Sequence, residues 1–208
     1  MGTSGYLPPT STGGDLNDAA LSQFLQQVVV GITGLPGNLV RPRWQPEPAN
    51  IPDFGTNWAA IGPTSRERDH FSYTQVSGTS TTVIRNRIMS ILCSFYGPLA
   101  ETNSELLAMG FEVPQNREVM QLAGFNLVGG VGDGVPVPTL FKERWQYRWD
   151  VPFRIRQQQQ YTYDVASLLS AQGTMVLQSG VSDITEDIEV TPPTGYGEGG
   201  YNTGGYGR

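Results

Sequence analysis

The chain has 208 residues, 38% of them apolar and 15% charged, with 13 basic side chains against 19 acidic ones and a single cysteine. That length supports one domain with a real core and some spare chain. The composition excludes a disulfide scaffold, a membrane span of about 18 apolar residues and a nucleic-acid binder driven by net positive charge.

The charge is unevenly spread. Residues 181–208 hold five acids against Arg208, a net of −4 out of −6, so the body is close to neutral. The 26 glycines and 15 prolines gather in a few segments, which predicts loops, an arm and a tail around the body. Cys93 lies in an apolar run and reads as a small buried hydrophobe, which fits a reducing compartment of origin. Met1–Asn17 lacks the basic-then-apolar layout of a signal peptide.

Met1–Gly14 is small, polar and Pro/Gly-rich and reads as an arm or disordered leader. A helix follows, capped by Asp15 or Asn17, with Asp18 in its first turn. Leu21, Phe24, Leu25, Val28 and Ile32 recur on one helical face, and Gly31, Gly34 and Pro36 end it. Leu39–Trp44 reads as a short extended piece, at a sheet edge because Pro42 lacks a ladder donor. Gln45–Asp53, with three prolines, reads as an extended connector. Trp58–Ile61 is a brief strand and Thr64–Asp69 a charged turn. His70–Val76 and Thr81–Tyr96 alternate with period two around Ser77–Thr79, which predicts a β-hairpin. In the second run Met89, Ile91, Cys93 and Phe95 share one face and Ile84, Ile88, Leu92 and Tyr96 the other, as in a strand buried on both sides.

Gly97-Pro98 breaks that strand and opens a helix whose core candidates are Leu99, Leu106, Leu107 and Met109. Pro114–Ala123 is a second short helix, with Val119, Met120 and Leu122 apolar, and Leu127–Pro138 a flexible loop. Then comes the longest alternation in the chain. Phe141, Trp145, Tyr147, Trp149, Val151, Phe153, Ile155, Tyr161 and Tyr163 fall on odd positions, with arginines and other polar residues between them. Twenty-three residues at about 3.3 Å each span roughly 75 Å, so the run must bend, divide or project. Pro152 marks the expected division. Trp145 and Trp149 are expected on the buried face, and Gln157–Gln160 exposed in a monomer. Asp164–Ala171 reads as one or two helical turns and Thr174–Leu177 as a last short strand. The segment from Val181 is expected to be a disordered acidic, then Gly/Tyr-rich, extension.

This order predicts an α+β fold, an antiparallel β-sheet with long β-hairpins and helices packed on one face. The divisions are a flexible N-terminal arm at 1–14, a single domain at 15–180 and a C-terminal tail at 181–208.

No reactive constellation emerges. His70, the one histidine, has no nucleophile at motif spacing, and Cys93 has no nearby base. One His and one Cys fall short of a zinc site's four ligands. Gly129–Gly134 lacks the Lys-Ser/Thr of a phosphate loop, and Thr185–Glu189 lacks calcium-loop spacing. No catalytic residue, cofactor or metal is expected, and an enzyme would need a partner to supply the missing groups. The arginines Arg85, Arg87, Arg144, Arg148, Arg154 and Arg156 fall on strand positions that would make a basic band if the two long strands pair. Such a band serves as a solvated face with cross-strand ion pairs, as a subunit contact, or as a nucleic-acid surface whose affinity falls steeply with salt. These six are the candidate subunit-interface residues.

The N-terminal helix with its Gly-Pro stop, the edge piece LVRPRW, the Pro-rich connector before Trp58, the strand running into Phe95-Tyr96-Gly97 and the ribbon around Trp145–Asp150 together resemble the neck or tail-terminator proteins of tailed bacteriophages, over about Leu16 to Gly180. The resemblance implies a structural virion protein, assembled in the host cytoplasm as a hexameric ring. Such a ring terminates the tail, contacts tube and sheath or head–tail connector proteins, and passes DNA through its lumen without reading its sequence. Another head–tail adaptor, collar or baseplate role is the alternative. The Gly/Tyr-rich tail has no counterpart in the family pattern.

Overall fold

The computed structural model describes residues 6–13, 17–45, 51–165, 171–179 and 182–190, the last two runs by backbone alone. It is an α+β fold with three helices and one large mixed sheet. Asp15, most of the Pro-rich connector, the expected turns after Asp164 and the Gly/Tyr-rich segment lie outside the described residues.

Strand β1 (Ser11–Gly13) comes first, so part of the expected leader is sheet. Helix α1 (Asp18–Thr33) starts where the Asn17 carbonyl accepts the N–H groups of Ala20 and Leu21. Gly34, at φ 72°, ends it by donating its N–H to the Val30 carbonyl at 2.9 Å, a left-handed stop that glycine adopts without steric cost. Leu21, Phe24, Leu25 and Val29 are buried, while Val28 and Ile32 are half-buried against the core. A single 3₁₀ turn, Gly37–Leu39, leads into β2 (Val40–Pro42). β2 pairs in parallel with β3 (Trp58–Arg68) at the edge of the sheet, the position Pro42 requires. β3 is longer than expected, because the charged stretch taken for a turn continues the strand after a register shift between Pro63 and Ser65.

Strands β4 (Tyr73–Ser77) and β5 (Ser80–Tyr96) form the expected hairpin, with Gly78 at φ 58° in the two-residue turn. Met89, Ile91, Cys93 and Phe95 of β5 are fully buried. The opposite face of β5 is mostly half-buried, which corrects the expectation of burial on both sides; only Ser94 of that face is buried. Gly97, at φ 102°, turns the chain; a Cβ there would sit 2.5 Å from the Thr56 carbonyl oxygen.

Helix α2 (Ala100–Gly110) packs through Ala100, Asn103, Ser104 and Leu107, and α3 (Pro114–Leu122) through Met120. Leu99, Leu106 and Met109, expected in the core, are exposed, and so are Val119 and Leu122 of α3. The small residues of α2 let it lie close to its neighbours. Gly110 meets Ile32 of α1, and Ser104 leaves no room for a Cβ on Gly134.

β6 (Phe125–Leu127) ends at the first residue of the expected flexible loop, Leu127–Pro138, and β7 (Val135–Pro136) lies within it. That loop is bonded along the sheet instead. Val128 donates its N–H to the Arg154 carbonyl, Gly132 to that of Pro152 and Val137 to that of Arg148. A small separate hairpin, β8 (Thr139–Phe141) with β9 (Arg144–Gln146), follows. Its two turn residues, Lys142 and Glu143, hold φ of 48° and 62°. The long ribbon therefore divides at Tyr147, not at Pro152.

β10 (Arg148–Asp164) pairs with β5 along all 17 residues, roughly 55 Å, from Arg148↔Tyr96 to Asp164↔Ser80. Pro152 sits in the middle of this ladder, opposite Leu92. Its missing N–H is accommodated between β6 and β7, where the other edge of β10 faces loop instead of strand. Three short strands share that edge: β7 at Trp149–Asp150, β6 at Ile155–Gln157 and β1 at Gln160–Thr162.

One face of the sheet, here called inner, carries Val151, Phe153 and Ile155 of β10 beside the buried β5 residues. Phe24 of α1 stacks on Phe125 at 4.7 Å, and Phe111, just after α2, packs on Phe153 at 5.0 Å. Gln157 and Gln159 lie on this face and are buried, contrary to the exposure expected of the glutamine run. Residues 165–208 form a second compact unit. In it β11 (Ala171–Ser179), which contains the expected last strand, pairs with β12 (Ser182–Val190). The acidic stretch expected to be disordered is thus strand in its first part.

Candidate assembly surfaces

The six arginines do not form one band. Successive residues of a strand point to opposite faces, and the register decides which arginines meet. Arg87 lies opposite Gln157 and Arg85 opposite Gln159, on the inner face. Arg154 and Arg156 lie on the outer face, opposite Ser90 and Ile88.

Each arginine has its own surroundings. Arg87 is buried and donates to the Gln157 side-chain oxygen and, at 2.8 Å, to Oδ1 of Asn17. The Asn17 side chain is thereby used to anchor the start of α1 to the sheet. Arg85 donates through Nε to the Asp69 carbonyl at 2.7 Å. Arg154 pairs with Glu67 at 3.2 Å and Arg156 with Asp69 at 3.3 Å, both in the open. Exposed pairs of this kind contribute at most about 1 kcal/mol each. Arg148 makes a two-point contact with Asp150, Nε to Oδ1 at 2.8 Å and Nη2 to Oδ2 at 2.7 Å. Its guanidinium lies 5.8 Å from the Tyr96 ring centroid, and Tyr96 stacks on Trp58 at 4.1 Å. Arg144 is exposed on the β8–β9 hairpin.

Among the described residues no group of three or more His, Cys, Asp or Glu side chains is placed to hold a metal ion. Burial, reinforced by the nearby Asp150 charge, pushes the Cys93 thiol far above its ordinary range, so it stays protonated and unreactive. His70 is exposed.

What the surface offers is contact. Trp145, expected in the core, is 71% exposed on the hairpin, and Tyr147 beside it is 72% exposed. Across the helix layer, Leu106, Met109, Val113, Val119 and Leu122 face outward. Isolated exposed apolar residues are ordinary, but large aromatics and contiguous apolar helix faces mark places where proteins meet.

A family model described as phage neck terminator protein matches residues 19–179. The chain belongs to this family. No curated protein matches it.

The match begins one residue inside α1 and ends with β11, so it covers the helix layer and nearly all of the sheet. Neck terminator proteins are structural components of the virion's neck and work through contacts with other head and tail proteins. The exposed aromatics and helix faces of this chain suit that work. Among the described residues no helix is long and apolar enough to cross a membrane. Spacing alone flagged the arginines. The exposed apolar residues of α2 and α3 had no separate signal, because a partner-facing leucine and a core leucine look alike in sequence.

Proposed function

We propose that this protein assembles into a closed ring, a homohexamer, that terminates the phage tail and joins it to the head-side connector. DNA passes through the lumen without being read in sequence. The observation that carries the reading is the concentration of exposed aromatic and apolar side chains on the β8–β9 hairpin and on the outward faces of α2 and α3, side chains that the protomer's own core does not use. The net charge of −6 and the ion pairing of Arg154 and Arg156 support a lumen that does not grip DNA. The arginines keep a place at the subunit contacts, Arg144 with Trp145 on the hairpin and Arg85 on the inner face of the sheet.

Mass photometry and negative-stain imaging of the purified full chain, alone and with tail-tube protein, test the ring. Annular particles of six copies are expected, and a strictly monomeric protein within assembled tails would overturn the reading. Trp145→Ala separates assembly from folding. Its thermal stability is expected within about 0.5 kcal/mol of the parent, as for exposed residues generally, while ring formation weakens. A clear loss of stability, or undiminished assembly, would remove Trp145 from the contact.

A further inference from the structure

Toward their far end β5 and β10 are flanked by β1 on one side and by β4 and the end of β3 on the other, and together these make an arm. Its inner face continues the face that the helices cover elsewhere; Arg87, Gln157 and Gln159 are buried on it, so the part open to a partner lies on the side of β3, β4 and the start of β5. The register places Arg66 opposite Met89 and Arg68 opposite Arg87 on that face, with Arg85 two residues along. Val76 and Val83 share it. Arg66, Arg68 and Val76 are exposed. The acids that alternate with these arginines, Glu67 and Asp69, are turned to the outer face and engaged there by Arg154 and Arg156. Among the arm's described strand residues, the inner face therefore carries arginines and no carboxylate.

The opposite composition occurs on the helix layer. Glu101, Glu105, Glu112 and Glu118 are exposed, beside the exposed Leu106, Met109, Val119 and Leu122. Arg117, half-buried, is the one base within α2 and α3, and it donates to the Glu112 carbonyl. We propose that the inner face of the arm receives the acidic, apolar α2–α3 surface of a second copy of this chain. Both surfaces offer apolar contact and opposite charge, so each copy donates one patch and accepts through the other. A contact between two different patches repeats head to tail and closes into a ring when the rotation allows. The proposal rests on the ring reading above and names the surfaces that meet.

Charge exchange in the full chain tests it, by sedimentation velocity over a range of concentrations. Arg66→Glu with Arg68→Glu is expected to weaken association about tenfold or more, and so is Glu101→Arg with Glu105→Arg. All four changes in one chain are expected to restore it, because the charges then match again. Unchanged melting temperatures in every variant would show that folding is intact. Association unaffected by either pair of changes overturns the proposal and leaves the ring standing. Rescue of the arginine variant by Asp183→Arg with Asp187→Arg, and not by the α2 changes, also overturns it, by assigning the acidic partner to β12. A parent chain that never associates overturns the ring reading together with it.

Discussion

Phe111→Ala is expected to lower the unfolding free energy by about 4 kcal/mol, the range for truncating a buried aromatic. Phe111 has no exposed surface and follows directly on α2, where its N–H closes the helix on the Leu107 carbonyl at 3.2 Å. Its ring packs on Phe153 of β10 at 5.0 Å, a tilted contact that adds something beyond area alone. It is thus the peg between the helix layer and the longest strand. A loss of this size is a large share of the 5–15 kcal/mol that holds a typical domain together. Denaturant melts of the two proteins measure it as a shift in midpoint at similar slope. Parent-like stability would mean that the layer is not held through this contact.

The second large effect belongs to Asp150. Asp150→Ala is expected to cost about 2 kcal/mol, because it leaves the half-buried Arg148 guanidinium without its charged partner. The parent geometry is a bidentate pair of 2.7 and 2.8 Å with the guanidinium beside Tyr96, itself stacked on Trp58. The informative comparison is the double variant Arg148→Met with Asp150→Leu. If the cost of the single change is an unpaired charge, removing both charges recovers most of it; a double variant as weak as the single one would locate the cost in packing.

Much of this fold was legible in the sequence. The 3.6-residue spacing of Leu21, Phe24 and Leu25 gave α1, and the alternation around Gly78 gave the β4–β5 hairpin. The division of the long ribbon was misplaced for a physical reason. A two-residue turn of this kind favours Asn-Gly or Asp-Gly, and Lys142-Glu143 carries no such signature, so the alternation reads straight through it. Pro152 was the obvious breaker, yet a proline needs only one side of its strand free of a ladder partner, and the sequence does not say which side faces a loop. Thr64–Asp69 failed similarly, because a strand with arginines on one face and acids on the other has the composition of a turn. The candidate arginines were visible individually, but their distribution over two faces is set by register, which no local pattern fixes.

The patchwork edge of β10 also bears on how the protein is made. Ser11 of β1 is paired to Thr162, about 150 positions later in the chain. At synthesis rates of roughly 5–20 residues per second, the first strand waits about 8–30 s for its partner to leave the ribosome. β5, whose partners lie 52 to 84 positions later, waits about 3–17 s for its own. Throughout that interval the apolar face of β5 lacks β10 beside it, although α1, β3 and α2 have already been made. A body that seals only when its last strand emerges is poorly suited to folding piecemeal on the ribosome. Its closure is a single late event, with the longest strand drawing β1, β6 and β7 onto one edge.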